Sequence, residues 1–193
     1  MLKIEAQRIK SALQNALLFA APHNDYLPAM EGVQVEYADK TLRLVATNRY
    51  IASFETVELV DEDLPGSRFA LFIPTDRAKL LISTIGKDNG LAELREDGLV
   101  LLGEQQVAAG VQPETFGSFP NMAKMVAKWD DTRGEQEVIR FNPKYLALLT
   151  KVSPYDSAKT DPLVFTLAEG GGPAKVTRGT TFTAYIMPVR EPA

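Results

Sequence analysis

The 193-residue sequence contains no cysteine and a single histidine, His23. The first absence excludes disulfides, thiolate nucleophiles and cysteine-based metal sites, and suits a reducing cytosol. The second leaves acid–base chemistry with one imidazole, beside Pro22 in a polar stretch where a histidine is most often solvated. No nucleophile-elbow sequence accompanies it, so a Ser-His-Asp arrangement lacks support. No run approaches the ~18 apolar residues of a membrane span. The N-terminal MLKIEAQRIK lacks the apolar centre of a signal peptide. The glycine-rich EGGGPAK stretch lacks the Gly-Lys-Ser/Thr ending of a phosphate loop and reads as a flexible turn. Asp61, Glu62 and Asp63 adjoin Leu64-Pro65-Gly66, a setting typical of a solvated linker rather than a cation site. No cofactor and no metal is expected, and an enzyme is the weakest functional class.

What is present is a repeat. At 45% hydrophobic and 24% charged, the chain has ample material for a core. A strand-like run followed by an amphipathic helix occurs three times: Leu2–Ala6 before Gln7–Ala20, Phe69–Pro74 before Asp76–Ile85, and Val138–Phe141 before Asn142–Val152. Alternating segments follow each helix, at Gly32–Tyr37, Thr41–Ala46 and Ile51–Leu59, then Leu91–Arg95, Leu99–Leu102 and Gln106–Val111, then Leu163–Leu167, Ala174–Thr177 and Phe182–Pro188. Repeated units bury their apolar faces against one another, which predicts a modular array. Thr75 or Asp76 and Asn142 are candidate N-caps, Pro143 suits a first helical position, and Gly86 suits a C-terminal cap. Asp39-Lys40 and Asp97-Gly98 read as tight turns, and Asp61–Ser67 as a loop between units.

Charge separates the helices from the rest. They carry Arg8, Lys10, Arg77, Lys79, Lys144 and Lys151 against one acid, Asp76, in a chain whose net charge is −4. Basic helices on an acidic body suit a polyanion, and double-stranded DNA is the obvious candidate, held through phosphates without sequence preference. The competing reading is that these six residues are merely solvated helix faces.

Five segments, taken in order, resemble the bacterial sliding clamp, the beta subunit of DNA polymerase III. They are MEGVQVEYADKTLRLVATNRYIAS at 30–53, FIPTDRAKLL at 72–81, FGSFPNM at 116–122, FNPKYLALL at 141–149 and AYIMPVR at 184–190. The first two units resemble that family's middle domain and the third the second half of its last domain, as in a reduced clamp. The resemblance implies an α+β fold of DNA-clamp-like repeated strand–helix–strand units, with outer antiparallel sheets and inner helices. It places one complete domain at 1–118 (units 1–64 and 65–118), a linker at 119–134 and a half domain at 135–193. It implies a processivity factor that encircles or cradles duplex DNA in the cytoplasm, works as a homo-oligomer, and tethers a DNA polymerase or other replication protein.

Tethering in that family uses a pocket for short peptides. By segment matching, the pocket falls at Met30, Thr47, Ile51, Pro120, Met125, Tyr185, Met187 and Pro188. Here ATNRYIAS stands where the family has an ATDGHRLA-like stretch, so Ile51 takes the leucine position and Tyr50 the arginine position, with one residue fewer. Asn121-Met122 replaces Asp-Tyr. A methionine-containing cleft adapts to varied aliphatic or aromatic anchors. The competing reading is that Met30, Ile51 and Met187 are core residues. A second function class is a protein-binding decoy or accessory factor that keeps the pocket without forming a ring.

Overall fold

In a computed structural model, residues 1–23, 27–62, 67–87, 89–117, 119–122, 124, 126, 139–167 and 172–189 are described. Among the described residues, the expected helical spacing of apolar residues is realised in three α-helices. Helix α1, Ala6–Leu17, buries Ile9, Ala12, Leu13 and Ala16 along one stripe. Helix α2, Thr75–Ile85, buries Ala78, Leu81 and Ile85 and ends at Gly86, whose φ of 52° favours glycine. Its N-cap is Pro74, not Thr75 or Asp76. The Thr75 hydroxyl instead donates to the Glu31 carbonyl at 2.8 Å, tying the helix to the segment before the next sheet. Helix α3, Pro143–Leu149, is capped by Asn142, whose side chain accepts from the Lys144 amide at 2.9 Å. It stops three residues before the expected Val152, and α1 stops three residues before Ala20.

The strands are β1 Leu2–Glu5, β2 Gly32–Ala38, β3 Thr41–Thr47, β4 Ile51–Val57, β5 Asp61–Glu62, β6 Phe69–Pro74, β7 Leu91–Leu94, β8 Leu99–Leu102, β9 Gln105–Ala108, β10 Val164–Thr166, β11 Ala174–Arg178 and β12 Phe182–Ile186. They form two sheets, in the orders β5-β1-β7-β8-β9 and β10-β11-β12-β4-β3-β2-β6, with every pairing antiparallel. The fold is α+β, and α1 packs on α2 and on strands of both sheets. Strand β5 lies within the stretch expected to be a loop.

The first two units exchange their opening strands. Strand β1 pairs with β7, the first strand after the second unit's helix, and β6 pairs with β2, the first strand after α1. Neither sheet is complete without the other unit's chain. The hairpin turns have the required backbone: Asp39 and Lys40 have φ of 51° and 64°. Gly98 has φ of 83°, and a Cβ there would lie 2.4 Å from the Gly110 carbonyl oxygen.

The third unit joins the first by β12 pairing with β4, so the seven-stranded sheet crosses from one to the other. Leu149, Val152, Ala174, Val176, Phe182, Ala184 and Ile186 enter the same core as α1 and α2, where Phe182 meets Phe19 at 5.8 Å between ring centroids. The strand expected at Val138–Phe141 is not formed at 139–141, and Val138 lies outside the described residues. Segment 139–141 instead meets the tail after β12, the Val189 amide donating to the Arg140 carbonyl at 2.7 Å.

Candidate functional site

The cleft expected at the junction is assembled by the β3–β4 turn, the tail after β12 and the segment around residue 120. Thr47 Oγ1 donates to the Ile51 carbonyl at 3.0 Å and accepts from the Arg49 amide at 3.2 Å. Asn48 Oδ1 accepts from the amides of Tyr50 and Ile51, each at 3.2 Å. This side-chain turn holds Arg49 at a φ of 79°, in the left-handed region that favours glycine. Across it, the Met187 amide donates to the Tyr50 carbonyl at 2.9 Å, continuing the β4–β12 ladder one step past its end.

The result is a cavity of about 200 Å³ lined by Met30, Thr47, Ile51, Pro120, Tyr185 and Met187 together with Arg49, Tyr50, Ala52 and Met122. Six of the eight residues expected from the sequence thus line one cavity. Pro188 follows Met187 but is not in the lining, and Met125 lies outside the described residues. Ile51, Thr47 and Tyr185 are buried and form the floor, while Met187 remains 37% exposed at the rim. The Tyr185 ring meets Phe54 edge-on at 5.7 Å, and Lys175 Nζ lies 6.0 Å from its centroid. Tyr50 stacks on Tyr145 of α3 at 5.8 Å, so the rim is shared by the first and third units. Burial and the neighbouring Tyr50 push the Tyr145 hydroxyl up from its ordinary pKa, so it stays neutral. Tyr50 and Met122 were legible as departures from the family's stretch, but nothing local showed that they would line the cleft.

The six basic helix residues divide by what they touch. Arg8 is largely enclosed: its guanidinium pairs with Asp156, with Glu58 at 3.0 Å and with Glu5 at 3.8 Å, and lies 4.9 Å over the Tyr155 ring. One turn on, the Ser11 hydroxyl donates to the Ser153 carbonyl at 3.0 Å, and Asn15 Oδ1 accepts from the Ser153 amide at 3.0 Å. Arg8, Ser11 and Asn15 therefore form a face of α1 that docks the loop after α3. Lys10 Nζ and the Gln7 side chain both donate to the Gly86 carbonyl, where the negative end of the α2 dipole lies. Arg77 donates to the Ala108 carbonyl at 3.4 Å. Lys79, Lys144 and Lys151 are exposed.

Beneath the docking face, Asn15 Nδ2 also donates to both carboxylate oxygens of Glu55, at 2.9 and 3.2 Å. Glu55 lies on β4 opposite Phe182 of β12 and is 4% exposed. Loss of hydration raises its pKa to about 7, opposed by the Asn15 hydrogen bond and assisted by the nearby negative charge of Asp156.

Two antiparallel sheets carrying paired helices, with strands exchanged between repeated units, define the DNA-clamp class of fold. Solved structures make the likeness specific to bacterial sliding clamps. The DNA polymerase III beta subunit from Thermotoga maritima superposes with a TM-score of 0.70 at 12% identity, over 99% of this chain and 65% of that one. A DNA polymerase sliding clamp from Pseudomonas aeruginosa gives 0.70 at 13% identity, over 98% and 66%. The Helicobacter pylori beta clamp bound to a DNA ligase peptide gives 0.65 at 10% identity, over 100% and 67%. The chain has the sliding-clamp fold and spans about 65% of the length of the first of these. No family model and no curated protein matches the sequence.

Proposed function

We propose that the chain is a non-enzymatic, sliding-clamp-like processivity factor that cradles or encircles duplex DNA in the cytoplasm and tethers a DNA polymerase or other replication protein through a short peptide. The observation that carries this reading is the 200 Å³ cleft with a buried floor and a methionine rim at the junction of two units. Its walls are apolar, with Arg49 as the charged residue at the edge, as suits a peptide offering two or three aliphatic or aromatic anchors. The H. pylori clamp, which has the same fold, was solved with a DNA ligase peptide.

Duplex DNA is the second partner in this reading. Lys79, Lys144 and Lys151 are exposed and supply the phosphate contacts, while Arg8, Lys10 and Arg77 already hold intramolecular partners. A homo-oligomer belongs to this reading, as the resemblance to sliding clamps implies. The alternative is an accessory factor or decoy that captures clamp-binding peptides without a ring. It is favoured by the cleft being formed entirely within one chain.

Calorimetry with the DNA ligase peptide of a bacterial clamp tests the reading. Burying two or three apolar side chains at ~1.5–3 kcal/mol each, less the cost of ordering the peptide, gives an affinity on the order of micromolar. Met187→Ala should weaken it about fivefold by removing roughly 1 kcal/mol of contact. Equal affinity in the folded variant would show that Met187 takes no part in holding the peptide. A DNA-binding assay separates processivity factor from decoy, because only the former binds duplex DNA in a salt-dependent manner.

A further inference from the structure

With no cysteine in the sequence, the sulfur chemistry of this chain belongs to its five methionines. Three of them, Met30, Met122 and Met187, line the 200 Å³ cleft. They come from segments far apart in sequence, so it is the fold that gathers them. Their exposure is steeply graded. Met122 is 3% exposed, Met30 is half-buried and Met187 is 37% exposed. Met1, on the strand side of the first helix, is half-buried as well. Met187 is therefore the most open of the described thioethers. Its position at the rim is fixed by its backbone, whose amide donates to the Tyr50 carbonyl at 2.9 Å.

A thioether in that place is an apolar contact as long as it stays reduced. A peroxide changes it by one oxygen. The sulfur lone pair attacks a peroxide oxygen, an S–O bond forms as the O–O bond breaks, and sulfur loses two electrons. The leaving hydroxide takes the proton of the transferred hydroxyl, giving a sulfoxide and water. The product is polar and chiral where the reactant was apolar and adaptable. Its S=O group needs a hydrogen-bond donor. The Thr47 hydroxyl on the floor is already committed to the Ile51 carbonyl at 3.0 Å. The sulfoxide thus keeps its hydrogen bonds by staying in water, and an apolar anchor seated on it would strip that water away.

We infer that Met187 is an oxidative modification site that regulates the cleft: peroxide converts its thioether to the sulfoxide, and the modified rim releases the peptide. The inference rests on the peptide reading of the cleft and adds a control to it. Selectivity comes from the graded exposure, since the buried Met122 is shielded and the half-buried Met30 is slower to react. The absence of cysteine means that no thiol of this chain competes for the oxidant. The effect exceeds simple loss of contact. Truncation to alanine removes apolar area, whereas the sulfoxide removes it and adds a group that resists burial. The change is reversible, because methionine sulfoxide reductases return the thioether, a dithiol being oxidised to a disulfide while the oxygen leaves as water.

The test treats the whole chain with graded hydrogen peroxide, removes the oxidant, maps each methionine by peptide mass and titrates the ligase peptide by calorimetry. Met187 should gain its oxygen before Met30 and Met122, with an unchanged circular dichroism spectrum. Affinity should fall about tenfold or more, further than in Met187→Ala. Treatment with the two sulfoxide reductases, one for each epimer, and dithiothreitol should restore it. Met187→Leu is a volume-conserving swap that carries no sulfur. It should bind within about twofold of the wild type and keep that affinity after peroxide. Oxidation of Met30 or Met122 ahead of Met187, full affinity in the Met187 sulfoxide, or an equal loss in peroxide-treated Met187→Leu would each overturn the inference. The two readings fail differently. Absence of binding by the untreated wild type removes the peptide reading and this inference together, whereas equal binding before and after oxidation removes this inference alone.

Discussion

Replacing Glu55 by glutamine should make the protein more stable at neutral pH and leave it nearly unchanged at pH 5. The carboxyl is 4% exposed, and its pKa is raised from 4.5 to about 7, first by burial. The folded state thus holds a proton that the unfolded chain releases two to three pH values lower. With the folded value above the unfolded one, the stabilisation is complete below pH 4.5 and is lost as pH rises through 7. At roughly 1.4 kcal/mol per tenfold change in proton affinity, the loss is about 3 kcal/mol. Glutamine cannot titrate and is nearly isosteric with the protonated acid. Its carbonyl still accepts from Asn15 Nδ2, though its amide must find a new acceptor where the second carboxylate oxygen stood.

Urea denaturation of both proteins from pH 5 to 8 measures the effect. Taking the difference between variant and wild type cancels the titration of every other group that the substitution does not touch. That difference should grow by about 3 kcal/mol over the range, most steeply between pH 5 and 7. Asp156 and its partner Arg8 are the neighbouring charges, so Asp156→Asn should shrink the pH-dependent part by removing like charge near Glu55. A constant difference across the range would refute the reasoning, because it would mean that Glu55 is ionised in the folded protein at every pH tested.

Arg8→Leu should destabilise the protein by about 2 kcal/mol, since it leaves Asp156, Glu58 and Glu5 without their shared cation, and should change DNA affinity less than it changes stability in paired melting and binding assays. Lys79→Glu with Lys144→Glu should weaken duplex DNA binding and lower the slope of log affinity against log salt by about 2, at roughly 0.9 per phosphate contact, and an unchanged slope removes that role from both lysines. Gly98→Ala should cost about 2 kcal/mol or more in denaturant titration, because φ is 83° and the new Cβ meets the Gly110 carbonyl oxygen at 2.4 Å. Leu81→Ala, at a position 1% exposed on α2, should cost about 2–5 kcal/mol in the same assay, and a smaller loss would mean that the surrounding core collapses into the cavity.

Local order was written in the sequence because its causes act over a few residues. The stripe Ile9, Leu13 and Ala16, the cap at Asn142, the stop at Gly86 and the turns at Asp39-Lys40 and Asp97-Gly98 each depend on neighbours within one or two turns of chain. The cleft residues could be gathered from widely separated segments only through family resemblance, since no spacing in the chain links Met30 to Met187. Tertiary structure alone decided which strand meets which. Nothing local in LKIE says that it pairs with LAEL rather than with the strand after its own helix. The same limit explains Arg8: a basic residue on a helix looks alike whether it faces solvent or three carboxylates, two of them from distant parts of the chain. It also explains the segment at 139–141, where a strand-like composition forms no strand, because the chain that comes to lie beside a segment decides whether it enters a sheet.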